Sequence, residues 1–148
     1  MTVDRTLVAK IESIPLFAGL TGKCAEQIAA EMKPYQFSSG EAVIVEDDGG
    51  RFGRLFVIIE GTALVTIGGR EVATYGPGDS FGEMSVLDGK PRSATVTATS
   101  ELSTVGLASW NMRSLMQEYP EIALHLVDVL VARVRATDAR LQDARLLD

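Results

Sequence analysis

Cysteine and histidine are almost absent from this sequence: Cys24 is the only cysteine and His125 the only histidine among 148 residues. A single thiol excludes a disulfide framework and a thiolate metal cluster, so we expect a reducing, cytoplasmic environment. A single imidazole argues against metal-dependent cupins and phosphodiesterases, which need several histidine and carboxylate ligands together. A Ser-His-Asp triad would have to use His125, and the chain has no nucleophile elbow. We therefore expect no metal site and no enzymatic activity.

Long apolar runs and an excess of positive charge are also missing. No run approaches the ~20 apolar residues that span a bilayer, and the N-terminus lacks the features of a signal peptide. We expect no membrane contact. The formal net charge of −6 argues against direct binding to a nucleic-acid backbone. The composition, 46% hydrophobic and 23% charged, is that of one globular domain over residues 1–148.

Helical patterns lie at both ends of the chain, with strand patterns between them. Thr21 is a candidate N-cap for a helix over about residues 22–32. From Ala42 onwards, short β-rich runs are separated by glycine, and TALVTI-GG-REVATY predicts a hairpin. Many short strands at this spacing predict a jelly roll or a barrel-like antiparallel sheet. The predicted parts are an N-terminal helical segment, 1–38, a β-roll, 39–108, and C-terminal helices, 109–148.

The helical pattern after Trp110 predicts a short helix and then a long one that opens at Pro120. Apolar residues recur in the long helix at alternating spacings of three and four, which predicts a coiled-coil seam. The alternative is a single amphipathic helix packed on its own barrel. The residues of the predicted seam are Val127, Leu130, Val134, Thr137, Leu141 and Ala144.

The stretch FGEMSVLDGKPRSATV, residues 81–96, carries the chemistry. Arg92 offers a planar fork of donors that matches phosphate oxygens in pairs, and Pro91 restricts the loop that delivers it. Glu83 opens a segment long enough for one helical turn, and its carboxylate can accept from the hydroxyl groups of a ribose. Phosphate donors on one arm and a sugar acceptor on the other indicate a nucleotide site. A surface salt bridge between Arg92 and Glu83 is the alternative.

The segment GPGDSFGEMSVLDGKPRSATV resembles the phosphate-binding cassette of cyclic nucleotide-binding domains. That family includes bacterial catabolite activator proteins, protein kinase A regulatory subunits and cyclic-nucleotide-gated channels. The resemblance extends over nearly the whole chain through IPLFAGL, GEAVI and LFVIIEGTALV. It implies a mainly β fold with flanking helices: an eight-stranded antiparallel jelly roll, N-terminal helices and a long C-terminal helix.

The resemblance also implies a role for each cassette residue. Arg92 matches the arginine that pairs with the cyclic phosphate, and Glu83 matches the carboxylate that receives the ribose 2′-hydroxyl. Gly82, Met84 and Ser85 occupy the turn whose backbone amides surround the sugar-phosphate.

Four further positions bear on the phosphate and the purine. Ser93 matches a position whose hydroxyl also meets the phosphate, and Val65 matches an apolar strand position beneath the purine. Thr137 matches a hydroxyl that contacts adenine from a dimer helix. Asp138 departs from the family, because it replaces a serine that reaches the partner subunit's nucleotide, and the loop EDDGGRFGR departs from the usual Gly-Asp pattern.

We therefore expect a non-catalytic sensor module that binds a cyclic nucleotide and uses no cofactor. Serine at position 93 is compatible with cAMP, whereas threonine there tends to accompany cGMP selectivity in the family. The expected ligand is cAMP, with cGMP as the second choice, and the expected assembly is a homodimer through the C-terminal helix. The alternative is the sensor half of a catabolite-activator-type transcription regulator whose DNA-binding domain is absent from this chain.

Overall fold

The computed structural model describes residues 5–48 and 53–147, with side chains described as far as residue 143. Helices flank a β-roll within these residues. The helices are α1 (Arg5–Glu12), a 3-10 turn (Pro15–Phe17), α2 (Lys23–Glu31), α3 (Glu83–Asp88), α4 (Ser109–Glu118) and α5 (Pro120–Leu147). The strands are β1 (Lys33–Phe37), β2 (Ala42–Ile44), β3 (Arg54–Glu60), β4 (Ala63–Ile67), β5 (Arg70–Tyr75), β6 (Ser80–Phe81), β7 (Thr95–Ala98) and β8 (Leu102–Ala108).

The eight described strands form two four-stranded antiparallel sheets. One sheet has the order β1-β8-β3-β6 and the other has the order β2-β7-β4-β5. This arrangement, with helices at both ends of the chain, confirms the predicted jelly roll. Among the described helices, none combines the length and the apolar content that crossing a bilayer requires.

Strand β3 lies between two hydrophobic cores, which explains why its sequence LFVII is continuously apolar. Leu55 and Val57 point to one side and pack with α1, α2, α4 and α5. Phe56 and Ile58 point to the other side and pack inside the roll, against residues of the second sheet. Since side chains alternate along a strand, one run of four apolar residues joins the helical layer to the interior of the roll.

Glycine sets the turns that the sequence analysis predicted. Gly68 and Gly69 join β4 to β5 with φ values of 57° and 80°. This geometry confirms the hairpin, because a two-residue turn of this kind needs positive φ at both central residues. In the GPGDS bend, the Asp79 amide donates to the Gly76 carbonyl at 3.0 Å.

Two local predictions were wrong. Helix α2 begins at Lys23, and the residue before it is Gly22, with φ 63° and no side-chain cap, rather than Thr21. Glycine takes this positive-φ conformation without steric cost, whereas a capping threonine would need the extended conformation with negative φ. The β-roll also starts before the predicted residue 39, because β1 lies in the predicted N-terminal segment and already pairs with β8. Strand β1 is an edge strand, where Pro34 and its missing amide are tolerated.

The C-terminal helices follow the prediction in outline. Pro120 is the first residue of α5, as expected from its missing amide. His125 has a packing role: its Nδ1 atom lies 3.2 Å from the Leu16 carbonyl oxygen in the 3-10 turn. Two sequence observations, on the loop at residues 49–52 and on the side chain of Ala144, lie outside the described residues.

The predicted seam on α5 needs correction. Leu130 is partly buried against the core that the helices form with Leu55 and Val57, so it faces its own domain. The large apolar side chains that remain exposed on α5 are Leu124, Val127, Val131, Val134 and Leu141. These five residues form an exposed apolar row. The row is rotated around the helix relative to the predicted seam, because the domain itself packs against the face that carries Leu130.

Gly61 provides a test of how tightly the roll is closed. It has φ 96°, and a Cβ atom added there would lie 2.2 Å from the Glu101 carbonyl oxygen. We expect Gly61→Ala to lower the free energy of unfolding by roughly 3 kcal/mol in urea denaturation, from strain plus overlap. Gly40→Ala is the matched control, since Gly40 has φ 91° with no neighbouring atom within 4 Å of the added Cβ. Equal losses in the two variants would show that the contact with Glu101 does not matter.

Candidate functional site

The stretch 81–96 folds into a short helix held between two glycines. Gly82 precedes α3 with φ 90°, and Gly89 follows it with φ 69°. A Cβ atom at Gly82 would lie 2.5 Å from the Arg54 carbonyl oxygen and 2.9 Å from Nη1 of Arg92. Glycine is required here both by its conformation and by the close approach of its neighbours.

The Arg92 side chain lies inside the domain, with only 8% of the residue exposed. Its Nη1 donates to the Gly82 carbonyl at 3.1 Å, and its Nη2 donates to the Arg54 carbonyl at 3.2 Å. Burial lowers the pKa of the guanidinium, and the nearby Glu83 carboxylate opposes that shift. These two bonds leave other N–H donors of the fork available, so a buried cation with free donors faces the site.

The backbone of Arg92 is fixed as firmly as its side chain. Its amide donates to the Asp48 carbonyl, and its carbonyl accepts from the Asp47 amide, both at 2.9 Å. Asp47 has a positive φ of 69°, which aspartate tolerates better than most residues. Asp47 and Asp48, in the loop before β3, therefore anchor Arg92 through main-chain bonds.

Glu83 is the second buried charge of the site, with 3% of the residue exposed. Its Oε1 accepts from Nη1 of Arg133, and its Oε2 is buried without a hydrogen-bond partner among the described residues. The alternative of a surface salt bridge between Arg92 and Glu83 is therefore wrong. A buried acceptor without a donor costs about 1–3 kcal/mol, so Oε2 is a ready acceptor for a ligand hydroxyl.

Arg133 is the residue that sequence analysis did not single out. It lies on α5, fifty positions from Glu83, and donates through Nη2 to the Ser80 carbonyl as well. Its guanidinium stacks 5.0 Å from the centre of the Tyr75 ring, where burial raises the pKa of the Tyr75 phenol. The pattern of α5 contained no signal for this role, because Arg133 is one of several arginines on the helix.

The remaining predicted site residues lie in different environments. Ser85 and Val65 are buried, at 4% and 5% exposure, with Val65 inside the roll. Met84 is half exposed, and the exposed Ser93 hydroxyl lies 3.8 Å from its sulfur. Thr137 is exposed on α5 and donates to the Arg133 carbonyl at 3.0 Å. Its hydroxyl therefore already has a partner within its own helix.

The chemistry of the site is recognition of a polar ligand that carries both an anion and a hydroxyl group. Arg92 offers buried donors and Glu83 offers a buried acceptor, while Gly82 allows close approach of backbone. The described residues contain no group of three or more histidine, cysteine, aspartate or glutamate side chains arranged to hold a metal ion.

Removing Arg133 should expose the cost of burying Glu83. The Glu83 side chain is 5% exposed and that of Arg133 is 28% exposed, so Arg133→Met leaves a buried carboxylate without its cation. We expect urea denaturation to show a loss of about 2 kcal/mol, below the range for fully buried pairs because Arg133 is partly solvated. Arg135→Met, at an exposed arginine of the same helix, is the control.

The double variant Glu83→Gln/Arg133→Met completes the cycle. It should recover part of the loss, because the amide carries no charge to bury. If the two single losses simply add, the ion pair does not contribute to stability.

This chain is similar to known proteins in both sequence and fold. The family described as cyclic nucleotide-binding domain matches residues 34–119, more than half of the chain. The CRP-like cAMP-activated global transcriptional regulator of Mycobacterium tuberculosis is 33% identical over 140 residues, covering 90% of this chain and 61% of the regulator. A cyclic nucleotide-gated potassium channel of Rhizobium etli is 32% identical over 113 residues, 76% of this chain and 31% of the channel. The chain thus spans about three fifths of the M. tuberculosis relative.

Solved structures show the same likeness. The catabolite activator protein of Thermus thermophilus superposes with a TM-score of 0.77 and 27% identity, covering 88% of this chain and 63% of that one. A cyclic nucleotide-binding domain from Methylobacillus flagellatus has a TM-score of 0.79 and 25% identity, with coverage of 93% and 82%. With the family match over residues 34–119, these likenesses show that the chain belongs to the cyclic nucleotide-binding domain family.

Proposed function

We propose that this chain is a non-catalytic sensor of cyclic nucleotides that prefers cAMP, needs no cofactor and acts in the cytoplasm. The observation that carries the proposal is the pair of buried charges in the stretch 81–96, each of which has bonding capacity left over. Arg92 keeps donors free beside two backbone carbonyls, and Glu83 keeps one buried oxygen without a donor. A cyclic phosphate satisfies the first group, and a ribose 2′-hydroxyl satisfies the second.

The positions of Arg92 and Glu83 assign the other predicted residues to the sugar-phosphate end or the purine end of the ligand. In the proposed complex, Ser93 adds a hydroxyl at the phosphate, while Gly82, Met84 and Ser85 line the sugar-phosphate. Val65 lies under the purine, and Thr137 approaches it from α5 by exchanging its own-helix bond for one to the base. A serine at position 93 supports cAMP over cGMP, since it lacks the methyl group that fixes a threonine hydroxyl.

The signal in this proposal passes through α5. Arg133 holds Oε1 of Glu83 while the ribose takes Oε2, so the ligand completes the bonding of a carboxylate that the helix already grips. A ligand stabilises the state in which it finds better contacts. Cyclic nucleotide should therefore favour the position of α5 in which Arg133 reaches the cassette, and a homodimer through α5 would report it.

The second candidate is the sensor half of a transcription regulator. It is supported by the likeness to the M. tuberculosis cAMP-activated regulator, of which this chain spans 61%. Both candidates use the same pocket and differ in what α5 connects to. A helix-turn-helix segment encoded after Asp148 in the same reading frame would favour the regulator.

Arg92 should dominate the affinity for cAMP. Arg92→Ala leaves a buried phosphate without its cation, and we expect calorimetry to show a loss of roughly 2–5 kcal/mol of binding free energy. Arg92→Lys keeps the charge but loses the planar fork, so it should recover only part of the affinity. Unchanged affinity in folded Arg92→Ala protein would refute the phosphate assignment. Titrations with cGMP alongside test the purine preference, and recovery of intact cAMP afterwards tests the absence of catalysis.

Glu83 should read the sugar rather than the phosphate. With wild-type protein, 2′-deoxy-cAMP should bind more weakly than cAMP by about 1.5–3 kcal/mol, because a hydrogen bond to a charged acceptor is lost. With Glu83→Gln the difference should shrink to about 0.5–1.5 kcal/mol, the range for a neutral bond. Calorimetry with both ligands on both proteins gives the comparison. Identical penalties would place the 2′-hydroxyl elsewhere.

A further inference from the structure

Helix α5 has two faces with different tasks. Arg133 donates to the Ser80 carbonyl, and Arg140 donates to the Glu71 carbonyl at 3.3 Å, so this face grips the β-roll. The opposite side carries the exposed apolar row defined above, from Leu124 to Leu141, whose members are three or four residues apart as far as Val134, with a gap of seven residues before Leu141. At 1.5 Å per residue the row is about 26 Å long.

Asp138 lies within this row. It comes four residues after Val134 and three before Leu141, the position at which the spacing requires the next apolar residue. An open surface of α5 is formed by Val127, Leu130, Val131, Val134, Arg135 and Asp138. A carboxylate thus lies within an apolar surface, towards its C-terminal end, with Arg135 as the charged neighbour on the same surface.

A second copy of this chain fits the row. A spacing of alternating threes and fours is what a helix presents to another helix lying along it. The flanks of the row are also self-complementary in charge: when two copies run antiparallel, Asp128 of one copy meets Arg135 of the other, while Leu124 meets Leu141. Both charged residues are exposed in the single chain.

We propose that Asp138 makes self-association through α5 depend on protonation. The inference rests on the homodimer of the proposed function. In a parallel pair, Asp138 faces Asp138 of the second copy; in an antiparallel pair, it faces Val127. Either arrangement takes the carboxylate out of water into an apolar layer, which favours the neutral acid.

The direction of the pH dependence follows from linkage. The dimer binds protons at Asp138 that the monomer releases, so the dimer is favoured as pH falls. Besides Asp138, the described part of α5 carries the charged residues Glu121, Asp128, Arg133, Arg135, Arg140 and Asp143 on each copy. Arg133 and Arg140 bond to the β-roll, whereas Asp128 and Arg135 flank the row. Arg135 of the second copy would weaken the effect only if it neutralised Asp138, and substitution tests this possibility.

Sedimentation equilibrium of the full chain at pH 7.5 and 5.5 tests the proposal, with and without cAMP. We expect wild-type protein to dimerise at least about tenfold more tightly at pH 5.5, the effect of one unit of proton linkage. Asp138→Asn should dimerise at least about tenfold more tightly than wild type at pH 7.5 and lose the pH dependence. Asp143→Asn, an exposed aspartate of α5 outside the row, should behave as wild type. Val134→Lys should abolish association.

Each contrary outcome overturns the inference. Association of wild type that does not change with pH removes the protonation step. Weaker association of Asp138→Asn shows that ionised Asp138 is stabilised by Arg135. Monomers in both wild type and Asp138→Asn show that the row has another occupant. Calorimetry with cAMP on the same samples tests nucleotide binding separately. An absence of cAMP binding would refute the proposed function and leave the sedimentation result intact.

Discussion

Two opposite charges, Glu83 and Arg92, are buried in the same cassette, and each forms hydrogen bonds with different neighbours. Burying an ionised group is costly unless it is paired and hydrogen-bonded. Arg92 is held by the carbonyls of Gly82 and Arg54, and Glu83 is held on one oxygen by Arg133. Because the two side chains do not bond to each other, Arg92 keeps donors and Glu83 keeps an acceptor for a ligand that carries an anion and a hydroxyl group.

This arrangement ties the site to the rest of the fold. Arg54 begins β3, whose side chains alternate between the helical core and the interior of the roll. Arg133 belongs to α5, which packs on the 3-10 turn through Leu126 and the same core. The cassette is therefore in direct contact with a central strand and with the terminal helix, so a displacement of the cassette would reach both. Close-packed interiors transmit small displacements because they have little free volume.

The sequence contained enough information to predict the fold and to draw attention to the two residues that the structure shows as buried charges of the cassette. Hairpin glycines, a continuously apolar strand and an N-terminal helix proline are local signals, and each led to a correct element. Arg92 and Glu83 could be singled out because their chemistry lies within one short stretch.

The missed features depend on contacts between distant parts of the chain. Arg133 meets Glu83 only after α5 folds across the roll, and nothing in its own neighbourhood indicates that contact. The seam was misplaced for the same reason: periodicity shows which residues share a helix face, and only the packing of Leu130 shows which face the domain uses. Strand β1 was missed because Lys33, Pro34 and Gln36 have low β-propensity, and pairing with β8 overrides it.

Four arginines around the site share one habit: Arg92, Arg113, Arg133 and Arg140 all donate to main-chain carbonyl oxygens. Every residue type supplies a carbonyl, so these contacts survive substitution at the accepting positions, including Ser80, Leu87 and Glu71. These arginine contacts therefore depend on the position of the backbone and not on the identity of the accepting side chain. The accepting positions Ser80, Leu87 and Glu71 can therefore change side chain while the relative placement of cassette, roll and helices stays the same, whereas an insertion or deletion there would move the carbonyl groups themselves.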